Sequence, residues 1–181
     1  MPEKSAGELA EWYDTLSVGY DELYAAEQSA KYDAVLNAVG PCKFDILVDV
    51  GCGTGLLFDR MQPICNLVVG VDVSREMLSR ARMRSRNLGV SLIMADVSSL
   101  PFRDSAANCI LSISLLKQSA AVRIQFEELS RVTRPGGIVA GTMFRDSGGK
   151  SELDKLGVVG DVKWSDLSAR EVLFLTRRAM L

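Results

Sequence analysis

Asp45-Ile46-Leu47-Val48-Asp49-Val50-Gly51-Cys52-Gly53-Thr54-Gly55 is the stretch that decides the fold. Its first part, Asp45–Val50, is a short, nearly continuous apolar run, as expected of a strand buried on both faces. Gly51, Gly53 and Gly55 then follow at alternate positions, leaving the backbone open to a close neighbour. Leu56–Met61 reads as the next helix, whose first N–H groups are free to meet a ligand. Buried strand, glycine turn and helix in succession open a parallel α/β sheet.

The same alternation continues downstream. Asn66–Val73 (NLVVGVDV) is a second buried strand. Ser74 caps a helix from Arg75 to about Asn87, closed by Gly89. Val90–Ala95 is a third strand, residues 97–107 a loop, and Cys109–Leu116 a fourth strand. Ser119–Val132 is a helix with Val122, Phe126 and Leu129 on one face. Pro135-Gly136-Gly137 is a turn before a fifth strand, Ile138–Phe144. Upstream, residues 8–39 read as two helices broken near Gly19 and stopped by Gly40-Pro41. In the tail we expect a short helix near Ser151–Leu156 and strands near Val158–Val162 and Val172–Thr176. The class is therefore α/β, a doubly wound and mostly parallel sheet with helices on both faces. We expect one domain over 1–181: a helical lead-in at 1–40, a core at 45–144 and a tail at 145–181.

Composition narrows the chemistry. The chain has 181 residues, 48 % hydrophobic and 24 % charged, and no histidine. Ser-His-Asp catalysis, HExxH metal sites and histidine proton shuttles are thereby excluded. Cys42, Cys52, Cys65 and Cys109 fit no metal-ligand spacing, so no metal is expected, and they read as reduced thiols of a cytoplasmic protein. No apolar run is long enough to span a membrane, and the N-terminal MPEKSAGELAEW has no signal-like core. Positive charge is densest at Arg75, Arg80, Arg82, Arg84 and Arg86, which suits either a weak nucleic-acid patch or, more simply, a solvated helix face.

Loops after parallel strands share one edge, and ligands bind there. Asp72 ends the second strand, and its carboxylate suits a ribose diol. Asp96 ends the third, where it can accept from an adenine amine beside the Val97 N–H. The glycine spacing is G-x-G-x-G rather than the dinucleotide G-x-G-x-x-G, and Asp49 precedes it. An acid there suits an ammonium better than a pyrophosphate. A ligand with an amino-acid end, a ribose and an adenine meets all three acids, and S-adenosylmethionine is that ligand.

These motifs together resemble one family. DVGCGTG at 49–55, VDVSREML at 71–78, ADVSSLPFRDSAANCIL at 95–111 and RVTRPGGIVA at 131–140 resemble class I S-adenosylmethionine-dependent methyltransferases, of the small-molecule, quinone and tRNA-modifying branch. WYDTLSVGYDELY at 12–24 is similar to their lead-in helix. The resemblance implies a Rossmann-like, seven-stranded sheet with the last strand antiparallel and N-terminal helices over the cofactor edge. It implies that Asp49, Gly51, Gly53 and Gly55 cradle the methionine part, with Cys52 among the cofactor-binding residues, and that Asp72 holds the ribose, with Val73 and Met77 beside the adenine or ribose. It places Asp96 and Val97 on the adenine and Ser112 near the methionine. Tyr13 and Tyr20 occupy positions whose hydroxyls close over the cofactor in relatives, or they simply pack in the core.

Two departures matter. Many relatives carry one or two histidines after the fourth strand, where this chain has Leu115-Leu116-Lys117-Gln118, and no residue here stands out as a base. Lys117 suits either an anionic substrate or plain solvent. Relatives also carry a lid after the fifth strand, for which this tail is short, so the acceptor pocket reads as open or completed by something else. The expected function is methyl transfer to an acceptor that is a small molecule, a tRNA or a protein. The alternative is a non-catalytic or partner-activated scaffold that binds the cofactor, with an activator or macromolecular partner covering the site, and Val90–Ala95 is the edge such a partner would pair with.

Overall fold

A computed structural model describes residues 5–116, 119–145 and 162–179. The elements are α1 Ala6–Leu16, α2 Tyr20–Val39, β1 Phe44–Val50, α3 Phe58–Met61, β2 Cys65–Asp72, α4 Arg75–Arg84, β3 Ser91–Met94, β4 Ala107–Leu116, α5 Ser119–Val132, β5 Thr133–Phe144, β6 Lys163–Asp166 and β7 Glu171–Arg177. They build one seven-stranded sheet in the order β3-β2-β1-β4-β5-β7-β6. The strands from β3 to β5 pair in parallel, and β7 pairs antiparallel with both neighbours. The expected class and topology are thus present, and β3 lies at the sheet edge as expected.

Alternate residues of each strand feed two cores. Val48, Val50, Ile110 and Val139 pack on one face beneath Val122, Phe126 and Leu129 of α5. Leu47, Val68, Leu111 and Ala140 pack on the other beneath Val35 and Val39 of α2, Phe58 and Met61 of α3, and Ala81 of α4. Being covered twice is why these strands carry nearly unbroken apolar runs. Asp49 lies between Val48 and Val50 and so faces the α2 side, two residues on from Leu47.

The N-terminal helices are held at the carboxyl edge by polar clamps. Ser74 caps α4, its Oγ accepting from the Met77 N–H at 3.1 Å and donating to Asp14 Oδ1 at 2.5 Å. Asp14 also accepts the Glu76 N–H at 3.1 Å. At the start of α2, Asp21 accepts from the Thr54 hydroxyl at 2.6 Å and from Arg84 at 2.7 Å. Arg84 also donates to the Thr54 carbonyl at 2.9 Å. Arg84 is therefore a strut between helices, and only part of the arginine run is left for solvent.

Several boundaries differ from the sequence reading. The helix after the glycine turn is shorter, starting at Phe58. The fifth strand begins at Thr133, because Pro135-Gly136-Gly137 is absorbed into the ladder by a register shift opposite Ala107 and Cys109. The tail hairpin starts at Lys163, after the expected 158–162. The expected helix at 151–156, most of that first strand, and Lys117 and Gln118 fall outside the described residues. Among the described residues no helix is long and apolar enough to cross a membrane.

Candidate functional site

A cavity of about 440 Å³ runs along the carboxyl edge of the sheet, a size typical of small-molecule sites. Its walls come from α1 and α2, the glycine turn, the ends of β2, β3 and β4, and the start of the β7 strand. Of the residues singled out in the sequence, Tyr13, Tyr20, Gly51, Gly53, Asp72, Val73, Met77, Asp96 and Val97 line it. Asp49, Cys52, Gly55 and Ser112 do not; they are buried behind that surface.

The turn is shaped by its glycines. Gly51 sits at φ +77, and a Cβ there would lie 3.1 Å from Leu115. Gly55, at φ +78, would place a Cβ 2.4 Å from the Phe58 ring. At Gly53 the space where a Cβ would lie is empty. Asp72 fastens this turn, its Oδ2 accepting the Gly53 N–H at 2.8 Å while its Oδ1 accepts the Ser74 N–H at 2.9 Å. A carboxylate has lone pairs beyond these two, so Asp72 can still accept from a diol in the cavity. Burial raises its pKa, opposed by the backbone N–H groups of Ser74, Gly53 and Val73. Asp96 accepts the Ser98 N–H at 2.6 Å and folds the loop after β3 back on itself.

Asp49 is electrostatically exposed in another sense. It is 4 % accessible, and among the described residues no hydrogen bond or ion pair reaches its carboxylate. Burial, and then the charge of Asp72, push its pKa up to about 7. An unpaired buried carboxylate is costly, and a cation is what would relieve it. Burial also raises Tyr20, Tyr32 and the Cys52 thiol above their ordinary values, so these remain protonated. Ser112 is fully buried, and its hydroxyl has no hydrogen-bond partner among the described residues.

The far end of the cavity holds residues that the sequence reading missed. Lys31 of α2 is 5 % accessible and Glu171 of β7 is 1 % accessible. They pair at 2.8 Å, although 140 positions separate them. Lys31 also donates to Ser114 at 2.9 Å and pairs with Glu27 at 2.7 Å. Ser114 stands in a bulge of β4, at φ +57, with its N–H on Thr142 Oγ1 at 2.8 Å. Glu27, Lys31, Ser114, Glu171, Tyr24 and Phe144 all line the cavity. The sequence offered one signal: Gln28, Lys31, Val35 and Val39 form the buried stripe of α2, so Lys31 sits where an apolar residue belongs. Nothing local marked Glu171.

Residues 48–141, more than half of the chain, match the family described as Methyltransferase domain. Malonyl-[acyl-carrier protein] O-methyltransferase of Marinomonas sp. (strain MWYL1) is 31 % identical over 137 residues, covering 73 % of this chain and 50 % of that protein. The chain spans about half the length of the curated relatives it matches. Among solved structures, the [4+2]-cyclase SpnF superposes with a TM-score of 0.80 at 17 % identity, over 100 % of this chain and 99 % of that one. The DhpI–SAH complex gives 0.76 at 14 % identity, over 95 % and 96 %. The chain belongs to the methyltransferase-domain family and has the class I S-adenosylmethionine-dependent methyltransferase fold.

Proposed function

We propose that this chain binds S-adenosylmethionine along the carboxyl edge of its sheet and transfers the methyl group to a small organic acceptor at the far end of the same cavity. The observation that carries the reading is the Asp72 carboxylate bonded to Gly53, with both residues lining the cavity and unpaired Asp49 behind them. In this reading Asp72 accepts the ribose hydroxyls, Asp96 and Val97 face the adenine, and Val73 and Met77 flank the nucleoside. The charge of Asp49 attracts the amino-acid end laid over Gly51 and Gly53. Tyr13 and Tyr20 close the α1–α2 side. Cys52, Gly55 and Ser112 support the turn from behind. The bound cofactor supplies an electrophilic methyl on a sulfonium, and the protein contributes positioning and exclusion of water.

The cavity, about 440 Å³ and reaching from the glycine turn to Glu171, supports a small acceptor. The Marinomonas relative is by name an O-methyltransferase, which supports oxygen as the receiving atom. Four free thiols support a cytoplasmic location. The test is calorimetry with S-adenosylhomocysteine, followed by transfer of labelled methyl from S-adenosylmethionine to metabolite extracts. Binding and label transfer are expected; a protein that binds no S-adenosylhomocysteine refutes the reading.

One feature favours a second reading, a scaffold or partner-activated enzyme. β3 is an edge strand and Met94 on it is 57 % accessible, beside a groove lined by Leu78, Leu92 and Arg75. A partner strand pairing there would cover it. Gel filtration separates the readings, because an active monomer leaves no role for such a partner.

A further inference from the structure

The strongest unassigned feature is the buried Lys31–Glu171 pair at the acceptor end. A buried ion pair is a poor stabiliser, since desolvation offsets its attraction, and an apolar pair of similar volume often serves better. Its neighbour Ser114 adds backbone strain, holding a left-handed φ outside glycine, and such strain gathers at functional sites. The pair is also unequal. Lys31 spends its three N–H donors on Glu27, Glu171 and Ser114. Glu171 Oε1 receives Lys31 at 2.8 Å and Ser114 at 3.3 Å. Glu171 Oε2 is buried without a hydrogen-bond partner among the described residues. Buried polar atoms are almost always satisfied, and the cavity that Glu171 lines is where a donor can come from.

We propose that Glu171 Oε2 receives the O–H of the methyl acceptor, and that the acceptor is a neutral phenolic or enolic hydroxyl compound. The inference rests on the reading of the chain as a methyltransferase. The position fits, because Glu171 bonds Ser114, and the next residue, Leu115, packs on Gly51 in the glycine turn. Tyr24, Leu115 and Phe144 give the compartment an aromatic and apolar wall for a flat ring. A carboxylate acceptor would meet the charges of Glu27 and Glu171. An aliphatic amine would bind them as its ammonium, which has no lone pair to attack with. A hydroxyl stays neutral on entry and becomes a better nucleophile as Glu171 takes its proton. In the transfer, the hydroxyl oxygen forms the O–C bond, the C–S bond breaks with its electron pair left on sulfur, and the proton passes to Glu171 Oε2, to be released to solvent once the products leave.

The test measures binding of three probes to the S-adenosylhomocysteine-loaded full chain by calorimetry: p-cresol, benzoate and benzylamine. The wild type is expected to bind p-cresol best. In Glu171→Gln the amide oxygen must face Lys31, so the amide NH2 takes the place of Oε2 and a donor replaces an acceptor. p-Cresol should then bind about 10- to 100-fold more weakly, the range for a hydrogen bond to a charged group, while benzoate gains. A general packing defect would weaken both probes. If Glu171→Gln does not fold, Lys31→Met/Glu171→Gln removes both charges, and the loss of p-cresol preference is read there. Preference of the wild type for benzoate or benzylamine, no saturable p-cresol binding, or an unchanged ranking in the variants overturns the proposal. Failure of S-adenosylhomocysteine itself to bind overturns instead the cofactor reading beneath it.

Discussion

The pH dependence of cofactor affinity tests the role given to Asp49. Burial and the neighbouring Asp72 charge raise its pKa from 3.8 to about 7. Tyr32, Cys52 and Asp72 are the groups coupled to it, and none is a cation. A native pKa above the unfolded one means that the apo protein holds the extra proton between the two values. Asp49 therefore stabilises the apo fold below the unfolded pKa, and that contribution is lost as pH rises through about 7. Ligand affinity moves the other way, since a ligand ammonium favours the ionised acid. If only that form binds, affinity for S-adenosylhomocysteine rises about 25-fold from pH 5.5 to 7.5, about 2 kcal/mol. The assay is calorimetry across that window in buffers of different ionisation heat, which also reads the proton released on binding. Asp49→Asn should flatten the rise and abolish most of the release. A flat wild-type profile, or an Asp49→Asn profile as steep as wild type, refutes the placement of the ammonium.

Asp72→Ala removes the acceptor of the Gly53 and Ser74 N–H groups and is expected to weaken S-adenosylhomocysteine binding by roughly 10- to 100-fold; unchanged affinity in calorimetry would show that the ribose lies elsewhere. Gly55→Ala combines a left-handed φ with a Cβ 2.4 Å from the Phe58 ring, so urea unfolding should show a loss of about 2–4 kcal/mol. Asp21→Ala cuts the tie from α2 to Thr54 and Arg84, and limited proteolysis of the apo protein should then cleave the α1–α2 region faster, with little change in thermal unfolding of the sheet.

The sheet was legible because its strands are buried on both faces. β1, β2 and β4 could be read as apolar runs ending at the residues that line the cavity. Asp72 and the glycine turn were legible for the same reason, since a strand end followed by glycines fixes both the edge and the direction of approach. β6 was not legible in place. It is an outermost strand, Lys163-Trp164-Ser165-Asp166, and only Trp164 turns inward, to pack near Phe174. β5 was cut short because Pro135 and two glycines look like a turn, whereas a register shift lets them join the ladder. Asp49 was read as a lining residue; the alternation of β1 instead puts its side chain on the α2 side, behind Val50 and Gly51.

Glu171, and its meeting with Lys31, were not legible for a topological reason. Strand order brings β7 beside β5, and β5 beside β4, so the first residue of β7 arrives opposite the bulged end of β4. The α2 helix crosses the same edge from the other end of the chain. A carboxylate from the tail, a lysine from the lead-in and a strained serine from the core therefore meet at a point no local pattern announces. Each looks solvated alone, because a lone Lys or Glu almost always is. Together they set a buried carboxylate at the cavity's far end, held by a lysine that also bonds Glu27 and Ser114. A histidine at such a place would exchange its proton near neutrality. The pair instead anchors a carboxylate oxygen by charge and packing, so under the proposed reading proton acceptance depends on the Lys31–Glu171 contact between α2 and β7. Substitutions in that contact should therefore act on acceptor recognition before they act on cofactor binding.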